Sequence, residues 1–174
     1  MLRHTDCFWP QDPRPSDFCI EDVAHALSLL CRFGAQCPIF YSVAQHSVMC
    51  ARVAPVGYQL EALMHDRAEA YLGSDVPRPI KQAIPQYKVI ENNILRISAS
   101  VFSVPAEMSK IVHDIDNRML VTEARQMFAD HSIKWWEESH WPLPYYNLLP
   151  LEPWSPERAE LEFLDTYGLL SLLG

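Results

Sequence analysis

The chain has little of the glycine from which most phosphate-binding loops are built. Only five glycines occur in 174 residues, at 34, 57, 73, 168 and 174, and none falls in a GxGxxG or GxxxxGK[ST] arrangement. A backbone cradle for phosphates is therefore not expected, since such loops need glycine where the chain bends tightly against phosphoryl oxygens. No GxSxG nucleophile elbow occurs either. The five cysteines, at 7, 19, 31, 37 and 50, form no CxxC pair and cannot all pair internally. Reduced thiols in a cytoplasmic protein are the expectation. Basic residues are scarce: 14 Lys and Arg against 22 Asp and Glu give a net charge of -8. That balance argues against a surface for polymeric DNA or RNA, which needs clustered cations. A small nucleotide needs only two or three cations in one pocket and is not excluded. No apolar stretch approaches the length of a membrane span, and the opening MLRHTDCFWPQDPRP has no apolar h-region, so no secretory signal is expected.

What the chain does have is helical periodicity. One domain over 1–174 is expected, long enough to bury a core without staples. Residues 1–19 read as an irregular arm. Ile20, Val23, Ala24, Leu27, Leu30 and Cys31 then share one helical stripe, predicting a helix from Ile20 to Arg32 that Gly34 stops. Ser42 and Gln45 form an S-x-x-Q capping box that opens a helix from Val43 to about Val53. A third helix is predicted from Tyr58 to Leu72, closed by Gly73, followed by a proline-marked turn from Val76 to Pro79. A fourth begins near Pro85, and a fifth runs from after Pro105 to about Phe128. Residues 134–154 hold tryptophans and prolines without periodicity, and Ser155-Pro156 caps a last helix to about Leu170. The expected fold is an all-α bundle of about six helices with an irregular Trp/Pro-rich C-terminal segment.

The chemistry concentrates in His46, the pair His65-Asp66, and Asp116, spread over about seventy residues. Imidazole nitrogens and carboxylate oxygens converging from separate helices suit one divalent ion and Lewis-acid hydrolysis of a phosphate ester. The His-Asp dipeptide alone means little, because it occurs twice, at His65-Asp66 and at His113-Asp114. Its surroundings separate the two. Glu69 follows His65 by four residues and Asp66 by three, so all three project from one side of a helix. From there Glu69 could orient or deprotonate an attacking water, and Asp75, just past the helix end, could hydrogen-bond that water or a ligand imidazole. On the fifth helix Asp116 and Glu123 lie at the margin of the apolar stripe and Asp114 points away from it. His113 remains a rival ligand on spacing alone, and an ion pair with Arg118 or Arg125 is the non-metal alternative for Asp116.

The strings YSVAQHS (41–47), LMHDRAEAYLGSDVPRPIK (63–81) and DNRMLVTEARQMF (116–128) resemble the HD-domain phosphohydrolases, over roughly two-thirds of the chain from Cys19 to Phe128. Within that superfamily the chain looks most like bacterial 5'-deoxynucleotidases and short phage-type deoxynucleoside triphosphohydrolases. The resemblance implies that His46, His65, Asp66 and Asp116 bind a divalent ion (Co, Mn, Mg, Zn or Fe, which N/O ligation does not distinguish). It implies that Glu69 acts on the attacking water with help from Asp75, and that Arg32 and Lys81 hold phosphate. Phe33 stands where the deoxynucleotidases carry tryptophan, and the spacing from Arg32 to His46 is a residue shorter than in the family. Both departures bear on base selectivity. The resemblance further implies a homo-oligomer. The expected activity is dATP-type triphosphohydrolysis, giving deoxynucleoside plus tripolyphosphate. Two alternatives stay open: a 5'-deoxynucleotidase acting on monophosphates, and a non-catalytic HD-type module whose segment from Trp135 to Trp154 docks a partner.

Overall fold

The computed structural model describes residues 8–128, 142–148 and 150–172, with the backbone alone at 78 and 79. Among the described residues the protein is all-helical, with no β-strand. The helices are α1 (Ile20–Leu29), α2 (Val43–Val53), α3 (Gln59–Met64), α4 (Arg67–Leu72), α5 (Arg78–Ala83), α6 (Pro85–Phe102), α7 (Lys110–Met127) and α8 (Pro156–Ser171). No described helix is long and apolar enough to cross a membrane.

Helix α2 is the axis of the bundle. Every residue from Val43 to Ala51 is buried, against α1, α3, α7 and α8. Its start follows from local chemistry: the Ser42 hydroxyl accepts from the Gln45 N–H at 3.1 Å, satisfying an otherwise orphan donor of the first turn. The return half of the expected capping box does not form. Instead, the Gln45 side chain donates to Glu152 O at 2.7 Å and accepts from the Trp154 N–H at 2.8 Å. The chain before α8 is thereby fastened to the centre of the bundle. Around α2 the core is built from Leu27, Tyr41, Leu63, Met64, Ile94, Met119 and Phe163, all fully buried. Each contributes about 1.5–3 kcal/mol by leaving water.

Four elements depart from the sequence expectation. Helix α1 stops at Leu29 rather than Arg32. Leu30 to Arg32 leave the helix to pair with Tyr41 to Val43: Arg32 N–H donates to Tyr41 O and Val43 N–H to Leu30 O, both at 2.9 Å. Between these two short arms the chain reverses through Phe33, Gly34 and Ala35, all at positive φ (57°, 57° and 61°). Gly34 thus serves a left-handed turn and does not cap α1. Second, the predicted 58–72 helix is two helices, α3 and α4, broken at His65-Asp66. Asp66 (φ -93°, ψ 10°) leaves helical geometry and becomes the residue before α4, while Gly73 closes α4 in the left-handed conformation as expected. Third, the proline-marked turn carries a helix of its own, α5, because Pro79 sits in the first turn where its missing N–H costs nothing. Helix α7 also begins later than expected, at Lys110, with the Ser109 hydroxyl accepting from the Val112 N–H.

Candidate metal centre

The break between α3 and α4 positions His65 and Asp66. Arg67, buried and next in sequence, holds it open. Its guanidinium donates to Met64 O at 3.0 Å, Leu95 O at 2.8 Å and Ser98 Oγ at 2.8 Å. The first gives a carbonyl at the end of α3 a partner, and the other two tie the bend to α6. Burial lowers the Arg67 pKa to about 10, so the group stays cationic at neutral pH.

At this bend, α2 and α7 bring His46 and Asp116 against the pair. His46 Nε2 lies 3.3 Å from His65 Nε2, 3.2 Å from Asp116 Oδ1 and 3.9 Å from Asp66 Oδ2. His65 Nε2 is 3.2 Å from Asp66 Oδ2 and 3.8 Å from Asp116 Oδ1. Donor atoms bound at about 2.0–2.2 Å to one ion stand roughly 3.0–4.2 Å apart in tetrahedral or octahedral shells, so these separations fit a common ion. The two imidazoles are wholly enclosed, whereas Asp66 and Asp116 are 19% and 13% exposed at their side chains. Access to the centre is therefore over the carboxylates.

Each imidazole is aimed by its other nitrogen. His46 Nδ1 donates to Glu123 Oε1 at 2.7 Å, and His65 Nδ1 donates to Ala62 O at 2.8 Å. A carbonyl has no proton to give, so His65 Nδ1 carries the hydrogen, and the Nδ1 contacts of both rings turn each Nε2 toward the centre. Electrostatics favour positive charge there. Burial alone would lower the pKa of both histidines, but the surrounding acids raise it: Cys50, Glu123 and Asp116 at His46, and chiefly Asp66 at His65. Burial likewise opposes ionisation of Asp66 and Asp116, yet His65 and His46 hold both well below the ordinary carboxylate range. A divalent ion satisfies the same demand for charge and displaces protons in doing so.

Around this cluster lie the groups assigned to water and phosphate. Glu69 is buried, with Oε1 at 3.0 Å from Lys81 Nζ and Oε2 without a hydrogen-bond partner among the described residues. Burial, then Asp66 and Asp75, push its pKa well above the usual carboxylate value. Asp75, half-buried beyond α4, acts through its charge on Glu69 and Arg32. Lys81 is shared between Glu69 and Glu91, the latter at 2.7 Å. Arg32 is buried between Glu123 (3.0 Å) and Asp66 (3.8 Å). Burial disfavours its charge, but the surrounding carboxylates more than compensate and raise its pKa. Neither cation is a solvated surface charge. Phe33 packs edge-on against Phe128, with ring centroids 5.3 Å apart, and its ring lies 5.6 Å from the Arg32 guanidinium carbon.

The second His-Asp pair is not part of this centre. His113 and Asp114 are 56% and 59% exposed at their side chains, and His113 contacts Asn117. Arg118 and Arg125 turn to the segment before α8: Arg118 donates to Leu143 O at 2.8 Å and lies over Tyr145, and Arg125 lies near Tyr146. Asp116 faces His46.

Over 161 aligned residues, 37% are identical to YfdR of Escherichia coli, named as an uncharacterized protein, covering 90% of this chain and 86% of the relative. The chain belongs to the YfdR family. An uncharacterized protein of Rhodobacter capsulatus is also 37% identical, over 105 residues that make up 55% of this chain and 53% of that protein. No family model matches the chain.

In this YfdR-family chain two participants escaped the sequence reading. Glu123 had a place on the α7 stripe but no role. It is fully buried and links His46 to Arg32, a contact across 77 residues that spacing cannot reveal. Cys50 was read only as one of five thiols. It lies one turn after His46 on α2, with Sγ 3.6 Å from His46 Nε2. His46, Cys50 and His65 bring ligand atoms within 4.8 Å of one another, a buried group able to hold a metal ion. The i,i+4 spacing of His46 and Cys50 was the available signal. Among the described residues Cys19, Cys31, Cys37 and Cys50 form no disulfide, while Cys7 lies outside the described residues, as does much of the Trp135–Trp154 segment.

Proposed function

We propose that the chain is a metal-dependent phosphohydrolase of the HD-domain type acting on deoxynucleotides, with dATP-type triphosphohydrolysis as the leading activity. The observation that carries this reading is the convergence of two oriented imidazoles and two carboxylates from α2, the α3–α4 break and α7, with donor separations of 3.2–3.9 Å. His46, His65, Asp66 and Asp116 would hold the ion. When bound, a divalent cation there supplies Lewis acidity toward a phosphoryl oxygen and makes water more acidic.

The remaining work falls to the protein. Glu69 accepts a proton from the attacking water as its oxygen bonds to phosphorus, and the P–O ester bond opposite breaks, the leaving oxygen taking a proton from solvent. The unpartnered Oε2 and the raised pKa of Glu69 suit a base. Arg32 and Lys81 offset charge on the phosphoryl oxygens, an effect worth about 3–4 kcal/mol per preorganised donor. For Lys81 this requires moving from its carboxylate partners to the phosphate. Phe33 offers an aromatic face to the base. A homo-oligomer belongs to the same reading.

The test is chromatographic product analysis with each dNTP, dNMP and ribonucleotide, in Mn²⁺ or Co²⁺ and with chelator. Deoxyadenosine and tripolyphosphate from dATP, abolished by chelator, are expected. Inorganic phosphate from dNMPs with triphosphates untouched would move the protein to the 5'-deoxynucleotidases. No turnover with metal bound would favour the binding-module alternative.

A further inference from the structure

The buried thiol of Cys50 changes which ions this centre can prefer. With zinc–nitrogen and zinc–sulfur bonds of about 2.05 and 2.3 Å, a tetrahedral site has N···N and N···S edges of about 3.35 and 3.55 Å. The structure gives 3.3 Å between His46 Nε2 and His65 Nε2 and 3.6 Å between His46 Nε2 and Cys50 Sγ. An octahedral shell at about 2.1 Å would set adjacent nitrogens roughly 3.0 Å apart, a poorer match. Asp116 Oδ1, at 3.2 Å and 3.8 Å from the two imidazole nitrogens, is available as a fourth donor. Both imidazoles aim Nε2 at this point, held by Glu123 and Ala62 O. Cys50 is also wholly enclosed, so its sulfur has no competing solvent exposure.

We propose that His46, His65, Cys50 and Asp116 form a closed tetrahedral site for a thiophilic divalent ion, Zn²⁺, which competes with the more oxygen-rich set of His46, His65, Asp66 and Asp116 for harder ions such as Mn²⁺. The proposal rests on the reading above that the two imidazoles are metal ligands. Coordination forms a Zn–S bond, the thiol proton passes to solvent, and nothing is oxidised. Four protein ligands leave no open position for a substrate or water, as in structural zinc sites. The zinc-loaded form is then stable and hydrolytically silent: Cys50 raises the affinity for zinc while leaving the zinc form no open position for catalysis.

The experiment uses the full chain, stripped by chelator and kept reduced with a thiol-free phosphine, titrated with Co²⁺ as a spectroscopic stand-in for Zn²⁺. The wild type should develop a near-ultraviolet sulfur-to-cobalt charge-transfer band with tetrahedral d–d bands, saturating at one equivalent. Cys50→Ser and Cys50→Ala should lack that charge-transfer band, and the ratio of Zn²⁺ to Mn²⁺ affinity should fall by about tenfold or more in both. Thermal melts followed by circular dichroism identify any variant that has not folded, and the wild-type spectrum alone still decides ligation. Co²⁺ bound without the sulfur band, or folded Cys50 variants with the wild-type affinity ratio, would overturn the proposal while leaving the phosphohydrolase reading standing. A wild type that binds none of the three ions would overturn both.

Discussion

The same dipeptide occurs twice in this protein in two unlike environments. At His65-Asp66 the helix breaks, both side chains turn into the bundle, and the imidazole and carboxylate are 3.2 Å apart beside His46 and Asp116. At His113-Asp114 the helix continues, both side chains face water, and Asp114 pairs with Lys110 one turn earlier. Residue type is identical, so the difference lies in the backbone and its neighbours. Consecutive residues on an unbroken helix diverge by about 100°; the bend at Asp66 is associated with convergence on one point. A buried partner such as Arg67 is required to hold that bend, and no such residue follows Asp114.

Substitution should widen this contrast. Asp66→Ala is expected to lower Mn²⁺-dependent phosphohydrolysis by about a thousandfold or more, the scale of losing metal-based charge stabilisation; full activity in this variant would remove the proposed chemistry from the site. Glu123→Gln acts one step back. Weakening the acceptor on His46 Nδ1 should reduce metal affinity about 10- to 100-fold, measured by isothermal titration, and an unchanged affinity would make Glu123 a partner of Arg32 alone.

Lys81→Met probes Glu69. A base works deprotonated, so activity is lost as pH falls through its pKa, and a raised pKa places that acid limb above the usual carboxylate range. Lys81 is the group that opposes the upward effects of burial, Asp66 and Asp75. Its removal should move the acid limb of kcat/KM to still higher pH in the variant. A limb that stays in place would exclude Glu69 as the titrating base. Asp114→Asn gives the smallest effect: a thermal melt indistinguishable from wild type and activity within about twofold, whereas a large loss would erase the distinction between the two pairs.

The sequence was most informative where one local interaction decides the structure. Helix α2 has the bounds expected from Ser42, because a side-chain cap is set by residues three apart. The inward placement of Asp116 and outward placement of Asp114 followed from the helical stripe of α7. Tertiary pairing hid the rest. Leu30 and Cys31 continue the apolar pattern of α1, but the backbones of Leu30 and Arg32 bond to Val43 and Tyr41 instead. The α3–α4 break was hidden too, since Leu63, Met64 and Ala68 keep helical spacing through it. What stabilises the bend is bonding of Arg67 to Leu95 and Ser98, some thirty residues away. Lys81 was expected as a free phosphate cation, and its pairing with Glu69 and Glu91 depends on α5, which the prolines disguised as a turn.

The clamp formed by Gln45 on Glu152 and Trp154 has a consequence in time. It joins residues more than a hundred positions apart, and Gln45 is the immediate neighbour of His46. Contacts so distant in sequence form late, because a long loop must close before they contribute. On a translating ribosome, all four imidazole and carboxylate donors emerge before Trp154 does. The nascent chain therefore carries His46 on a helix not yet locked in place, and the cluster settles only when the segment before α8 arrives and fastens α2.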